Sequence, residues 1–489
     1  MNARAGLAAL TVLALVLRLI HIDNALWLDE IATVRTFGPM SVWEVLSSYP
    51  GSNNHLLNTL LIKASVGLFG ASSFAVRLPA LLFGVATIPA IYLCARVALS
   101  ERASLAAAAM LAVAYHHVSF SQNARGYTAW LLFSLLAATF LARALQDDRP
   151  RDWGLFLLAT VANFASLLLS AFVAAGHALT GLVAVVRIAR QGGDPRPLLW
   201  RLGSVFALAA VGGLALYVWV VPEVLAYVDT EYRKAAAGYR LVSLEFVGEV
   251  VRGLTSGRGW VLLVVAPVGG LVAGLGLWTL LRRSWALTLG LFLGPTLQVL
   301  AVAALGLAIV PRHFLLAMPL AFLVLAQGVE AGAQRLEQRT SRPLATPALL
   351  GAVLLFALLS GMQLRGYYAH PKQDMPGALE HLAQLRQPDQ RVIALHLAEV
   401  PMAYYGPSRG FDADRGTFFV RTVEALDAAL SDPRFQPGYL VMTLPRALDL
   451  GLPELSARVR AGWELEATFP GTLGDGDVTV WRERPPAAR

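Results

Sequence analysis

Cysteine is all but missing from this 489-residue chain: the one example, Cys94, sits inside an apolar run. That excludes a disulfide framework and a cysteine-built metal site. Lysine is nearly as scarce. Lys63, Lys234 and Lys372 are the only three, so the formal charge of +8 is carried almost wholly by arginine. Charged residues of all kinds make up 15% of the chain, against roughly 25% in soluble domains. The nine histidines show no H-x-x-x-H spacing, which argues against a catalytic zinc site. Low-complexity segments and convincing internal repeats are also absent. What remains is apolar: 56% hydrophobic residues and a mean hydropathy of +0.57. This is the balance of an all-α polytopic membrane protein, surrounded by membrane lipids, with no nucleic-acid partner.

A bilayer core takes about 20 apolar residues per helix. Candidate spans are 5–20, 79–99, 103–118, 127–145, a pair within 153–188 broken near Ser170, 202–221, 260–281, 285–310, 314–329 and 345–362. That gives about eleven transmembrane helices. The first run lacks a small-residue cleavage site and is followed by many more spans, so it is a retained helix rather than a signal peptide.

Arginine placement orients the set. With the N-terminus in the cytoplasm, the inner loops hold Arg4; Arg96 and Arg102; Arg143, Arg149 and Arg151; Arg187, Arg190, Arg196 and Arg201; Arg282 and Arg283; and Arg335, Arg339 and Arg342. Short cytoplasmic loops are rich in Lys and Arg. Three features then face outward: a first loop over 22–78, a polar stretch over 223–258, and a tail over 367–489. The tail is richer in Pro, Asp and Arg. It has strand-like runs RVIALHL, GYLVMTL and DVTVWRE after an amphipathic helix at Met375–Leu385, the pattern of a small α/β extracytoplasmic domain. The membrane part is therefore 1–366. The stretch 223–258 reads either as a mobile lid or as a solvated connection.

The first loop opens with WLDEIATV, where Asp29 and Glu30 follow Trp27. One reading is helix capping, since acids are favoured at a helix N-terminus. The other is a general base at the membrane edge, able to take a proton from an incoming hydroxyl. Farther on, Asn54 and His55 lead into a short apolar stretch carrying Lys63, a cation that can snorkel to lipid phosphate or to water. Two tight outer turns hold cations where few are expected: SFSQNARGYTAW with Arg125 and Tyr127, and VPRHF with Arg312 and His313. Each can be a helix-start anchor or a phosphate-binding group. His116 and His117 read as interfacial.

Four stretches in the same order resemble the C-superfamily (GT-C) glycosyltransferases, in the branch of the protein O-mannosyltransferases and the lipid A aminoarabinose transferase. They are WLDEIATV, FGASSFAVRLPALLFGVATIPAIYLCAR, SFSQNARGYTAWLLFSLLAA and PRHFLLAMPLAFLVLAQGV. The resemblance runs from Met1 to about Gly332. It departs at Asn53–Leu57, where many relatives carry His-Pro-Pro.

The resemblance implies a sugar donor linked to polyprenyl phosphate and a lipid, glycan or protein acceptor, in the bacterial cytoplasmic membrane with the tail in the periplasm. It implies Asp29 and Glu30 as catalytic residues and one inverting displacement. Arg125, Arg312 and Lys63 are then the donor-phosphate ligands, with Asn54, His55, Tyr127 and His313 binding substrate. No cofactor and no metal are expected, although a divalent cation is left open, because two adjacent acids make a poor cage for Mg²⁺. The rival readings are a lipid or polysaccharide transporter or flippase, and a surface-polysaccharide polymerase or ligase. A transporter predicts mid-span charges, and the acids here gather at one edge instead.

Overall fold

The computed structural model describes residues 2–51, 53–227, 260–304, 311–472 and 474–484. The chain divides into two compact units. The first comprises Met1–Ile20, Met40–Ala71 and Arg77–Gln363. The second comprises His21–Pro39, Ser72–Val76 and Leu364–Arg489, so the acid-bearing segment folds with the tail.

The first unit is helical. Among the described residues six helices are long and apolar enough to cross a membrane: Ser73–Ala95, Tyr127–Asp147, Ser170–Arg190, Arg196–Tyr217, Trp285–Ala304 and Ala345–Ala369. Glu101–Val113 and Tyr115–Ser121 make a seventh if taken as one span bent by 59°. The expected eleven includes segments that are helical but shorter, such as Ala3–Leu19 and Pro150–Ser166, of 17 residues each. The break near Ser170 is present, between Ser166 and Ser170. Most of the proposed lid, 228–258, lies outside the described residues.

Burial within this unit is graded. The apolar window of Tyr127–Asp147 is 72% buried, whereas those of Arg196–Tyr217 and Ala345–Ala369 are 11% and 17% buried. On Ala345–Ala369, Leu350, Leu354 and Leu358 stand exposed at four-residue spacing. A continuous apolar stripe of that kind belongs against lipid, because water would not tolerate it. Inside, small residues let backbones approach: a Cβ on Gly328 would strike the backbone of Val272, and one on Gly176 the backbone of Gly294. Such contacts replace hydrophobic driving force between membrane helices.

The second unit carries a five-stranded sheet: β1 Gln390–Leu395, β2 Thr417–Val420, β3 Gln436–Thr443, β4 Trp463–Phe469 and β5 Val478–Glu483. The order is β2-β1-β3-β5-β4, with β1 parallel to β2 and β3, and β5 antiparallel to β3 and β4. Both faces are covered. Met375, Leu379 and Leu382 pack on Val392, Ala394 and Val441 on one side. Leu426, Leu448 and Leu455 pack on Ile393, Leu395 and Leu440 on the other. Alternate residues of β1 and β3 thus enter opposite cores, which is why these strands read as unbroken apolar runs.

Candidate active site

The residues singled out in the sequence fall into two clusters, one in each unit. In the first unit the loop 122–126 is tied to the end of the helix Ala3–Leu19. Gln122 donates from Nε2 to the carbonyls of Arg18 (2.9 Å) and Ile20 (2.6 Å), satisfying groups a helix end leaves open. Arg18 itself is fully buried. It donates to the carbonyl of Ala112 (3.0 Å), beside the bend at Ala114, and to Ser121 Oγ (3.0 Å), and it lies 2.6 Å from His117 Nδ1. His117 is therefore a core residue of this unit.

This frame holds Arg125 at 5% exposure. Its Nε donates to His55 Nε2 at 3.1 Å, and its guanidinium lies 5.1 Å from the Tyr127 ring centroid. The His55 ring meets Tyr127 edge-on at 5.3 Å. Burial, then the charges of Arg125 and Arg312, hold the His55 imidazole well below its ordinary range, so it is neutral at physiological pH. Because Nε2 accepts from Arg125, the proton of the neutral ring resides on Nδ1. Nδ1 is buried and has no hydrogen-bond partner among the described residues. A buried donor left open beside a guanidinium is what an anionic oxygen would satisfy. Arg312 stands in the 3₁₀ turn Pro311–Phe314; the His313 side chain lies outside the described residues.

Lys63 and Asn54 build the neighbouring loop. Lys63 Nζ donates to the Met40 carbonyl at 2.6 Å. Asn54 Nδ2 donates to the carbonyls of Val45 (3.1 Å) and Ser48 (3.2 Å). Both side chains are thus engaged with backbone carbonyls in the segment around the short helix Val42–Ser47.

In the second unit, Leu28–Phe37 is a helix with Asp29 and Glu30 in its first turn. The two acids differ sharply. Glu30 is fully buried: its Oε2 accepts from the Trp27 backbone N–H (3.3 Å), and its Oε1 is 3.7 Å from Lys372 Nζ, itself 5% exposed. Asp29 remains partly exposed. The approach to the helix is pinned as well. Leu28 N–H donates to Gln373 Oε1 (2.9 Å), Gln373 Nε2 donates to Thr443 Oγ1 (3.0 Å), and Leu26 N–H donates to Tyr405 Oη (2.7 Å). The capping reading thus describes Glu30, and leaves Asp29 as the acid with access to solvent.

Lys372, Gln373 and Tyr405 were not foreseen as partners of the acids. The one signal was rarity: Lys372 is a lysine where the chain otherwise uses arginine. Among the described residues no three His, Cys, Asp or Glu side chains gather as a metal site would require.

Residues 55–216 match the family model described as dolichyl-phosphate-mannose-protein mannosyltransferase. Among solved structures, the chain is similar to ArnT from Cupriavidus metallidurans bound to undecaprenyl phosphate, with 14% identity and a TM-score of 0.52. The match covers 98% of this chain and 97% of that one. It is also similar to the archaeal oligosaccharyltransferase AglB from Archaeoglobus fulgidus in complex with an inhibitory peptide and a dolichol-phosphate. There the identity is 13% and the TM-score 0.53, covering 95% of this chain and 72% of that one. No protein of curated function matches the chain by sequence. At such identities the likeness to the solved structures is one of fold.

Proposed function

We propose that this chain, a multi-pass membrane protein of the GT-C fold, is a glycosyltransferase that moves a sugar from a polyprenyl-phosphate donor to an acceptor hydroxyl at the outer face of the cytoplasmic membrane. The observation that carries the donor class is the Arg125–His55–Tyr127 cluster, which lies inside the segment matched to the mannosyltransferase family. It offers a desolvated cation and an unsatisfied N–H to a phosphate. The solved neighbours holding undecaprenyl phosphate and dolichol-phosphate support the same class. The arginine-rich inner loops support an N-terminus in the cytoplasm and a tail outside.

Asp29 is the general base. The acceptor oxygen attacks the anomeric carbon while Asp29 takes its proton. The carbon–oxygen bond to phosphate breaks, and its electron pair stays on the leaving phosphate. A single displacement inverts that carbon. Arg125 and Arg312 offset the charge that grows on the phosphate, an interaction stronger in the transition state than before it. Glu30, ion-paired and buried, holds the first helical turn and with it the Asp29 carboxylate. The acceptor is a lipid, glycan or protein hydroxyl. The step is complete with this chain's own residues, so no metal enters the proposal.

The test is mass spectrometry of envelope lipids and glycans from a deletion strain, complemented with wild type, Asp29→Asn or Arg125→Gln. The deletion removes one sugar mass, and wild type restores it. Asp29→Asn, inserted at the wild-type level, lowers transfer by about 10²–10⁴-fold, the range for a lost general base. An unchanged envelope in the deletion strain refutes the transferase. Full restoration by Asp29→Asn refutes only the base, and full restoration by Arg125→Gln only the phosphate ligand.

A further inference from the structure

At the opposite end of the helix Tyr127–Asp147 from Arg125 lies a polar cavity. That helix has 21 residues, so the two places are roughly 30 Å apart. The cavity, of about 430 Å³, sits where the helices Ser73–Ala95 and Tyr127–Asp147 end and Pro150–Ser166 begins. Arg96, Arg143, Arg149 and Arg151 line it, with Phe140 and Leu155 as apolar wall. Asp147 and Asp152 also line it, leaving two cations in excess.

The arginines are not all committed. Arg149 pairs with Asp147 at 3.4 Å, and Arg96 Nη1 donates to the Leu99 carbonyl at 2.6 Å. The nearby Asp148 is taken by Trp153 Nε1 (3.0 Å) and by an ion pair with Arg201. Arg143, half-buried, and Arg151, exposed, make no hydrogen bond or ion pair among the described residues. The guanidinium donors of Arg143 and Arg151 therefore remain open at the cavity, where an anion can take them. The place also fixes the kind of ligand. The ends of two spanning helices lie at the edge of the hydrocarbon, where one side of a cavity meets headgroups and the other acyl chains.

The geometry points to a binding site for the phosphate headgroup of an anionic phospholipid, held by Arg143 and Arg151 against Phe140. The site is separate from sugar transfer, and it stands whether or not that reading holds. It takes a headgroup of net negative charge, because two excess cations favour phosphatidylglycerol or cardiolipin over a zwitterionic lipid.

The experiment uses the full-length protein, delipidated in detergent and then equilibrated with mixed micelles of phosphatidylglycerol or of phosphatidylcholine with the same acyl chains. Native mass spectrometry counts the retained lipid. Wild type retains phosphatidylglycerol at least tenfold better, and millimolar inorganic phosphate does not displace it. Arg143→Gln with Arg151→Gln weakens retention on the order of thirtyfold, the product of two arginines at about fivefold each near a lipid surface. Equal retention of both lipids by wild type overturns the proposal without any variant. Displacement by phosphate overturns the lipid assignment, and wild-type retention by a folded double variant overturns the site.

Discussion

Replacing Lys372 by Met isolates the interaction that holds the acid motif. Lys372 and Glu30 are 5% and 0% exposed, 3.7 Å apart. At an effective dielectric constant near 20 their attraction is about 4 kcal/mol. Removing one member of a buried pair costs about 3–5 kcal/mol, because the other charge is left uncompensated. Glu30 keeps its bond from the Trp27 N–H in the variant, so the low end of that range is expected, about 3 kcal/mol. For a unit of this size that lowers the unfolding midpoint by roughly 6–12 °C. The double variant Lys372→Met, Glu30→Gln removes both charges and keeps a side chain able to accept the same N–H. It should recover to within about 1 kcal/mol of wild type, since a buried pair replaced as a whole is often near neutral. Thermal unfolding of the purified protein, followed by hydrogen exchange at the amides of β1 and β3, reads the stability of this unit. Sugar transfer by the double variant, measured beside it, reads how far alignment of Asp29 depends on the pair. A Lys372→Met protein as stable as wild type, or a double variant worse than either single one, would refute the reasoning.

Two further outcomes follow from the membrane unit. The His55 imidazole is held below its ordinary range, so its contribution to stability is whole above about pH 6.5 and is lost as pH falls, because the unfolded chain takes the proton first. The slope from this one group is at most about 1.4 kcal/mol per pH unit; unfolding midpoints between pH 7.5 and 5.5 should fall less steeply for His55→Gln than for wild type, and parallel curves would remove His55 as the cause. A Cβ at Gly328 would strike the Val272 backbone, whereas one at Gly332 meets only Leu275 Cδ2, at an ordinary 3.8 Å. Gly328→Leu should therefore lose at least about 1–3 kcal/mol and Gly332→Leu far less, read as the fraction surviving heating in detergent; equal losses would mean the helices do not meet at Gly328.

How much of this was legible in the sequence depended on whether the cause was local. Spans announce themselves through composition, and the break near Ser170 through the length of an apolar run no single helix could use. The helix Met375–Leu385 carried its period in the chain, and the strands β1, β3 and β5 their β-branched and apolar runs. The edge strands did not: β2 has four residues, and β4 alternates with the charges of Glu464 and Glu466, a pattern an edge accepts. The span count was less legible, because helices of 17 residues are apolar enough to read as spans yet fall short of the roughly 20 residues a bilayer core takes. At the site, Arg125, His55 and Tyr127 were named individually and the fold joined them. The Glu30–Lys372 pair spans hundreds of residues of intervening chain, and no spacing rule reaches that far. Nor could adjacency distinguish Asp29 from Glu30, since one turn of helix sends neighbouring side chains in different directions.

Because His21–Pro39 folds with Leu364–Arg489, the stretch bearing Asp29 leaves the ribosome hundreds of residues ahead of its supports. A nascent protein with every span already inserted would still lack Lys372, Gln373 and Tyr405, and so would hold its acids unfixed. Fixing of the acid motif is thereby deferred until those residues have been made, and a product cut short after the helix Ala345–Ala369 would leave Asp29 and Glu30 without these supports.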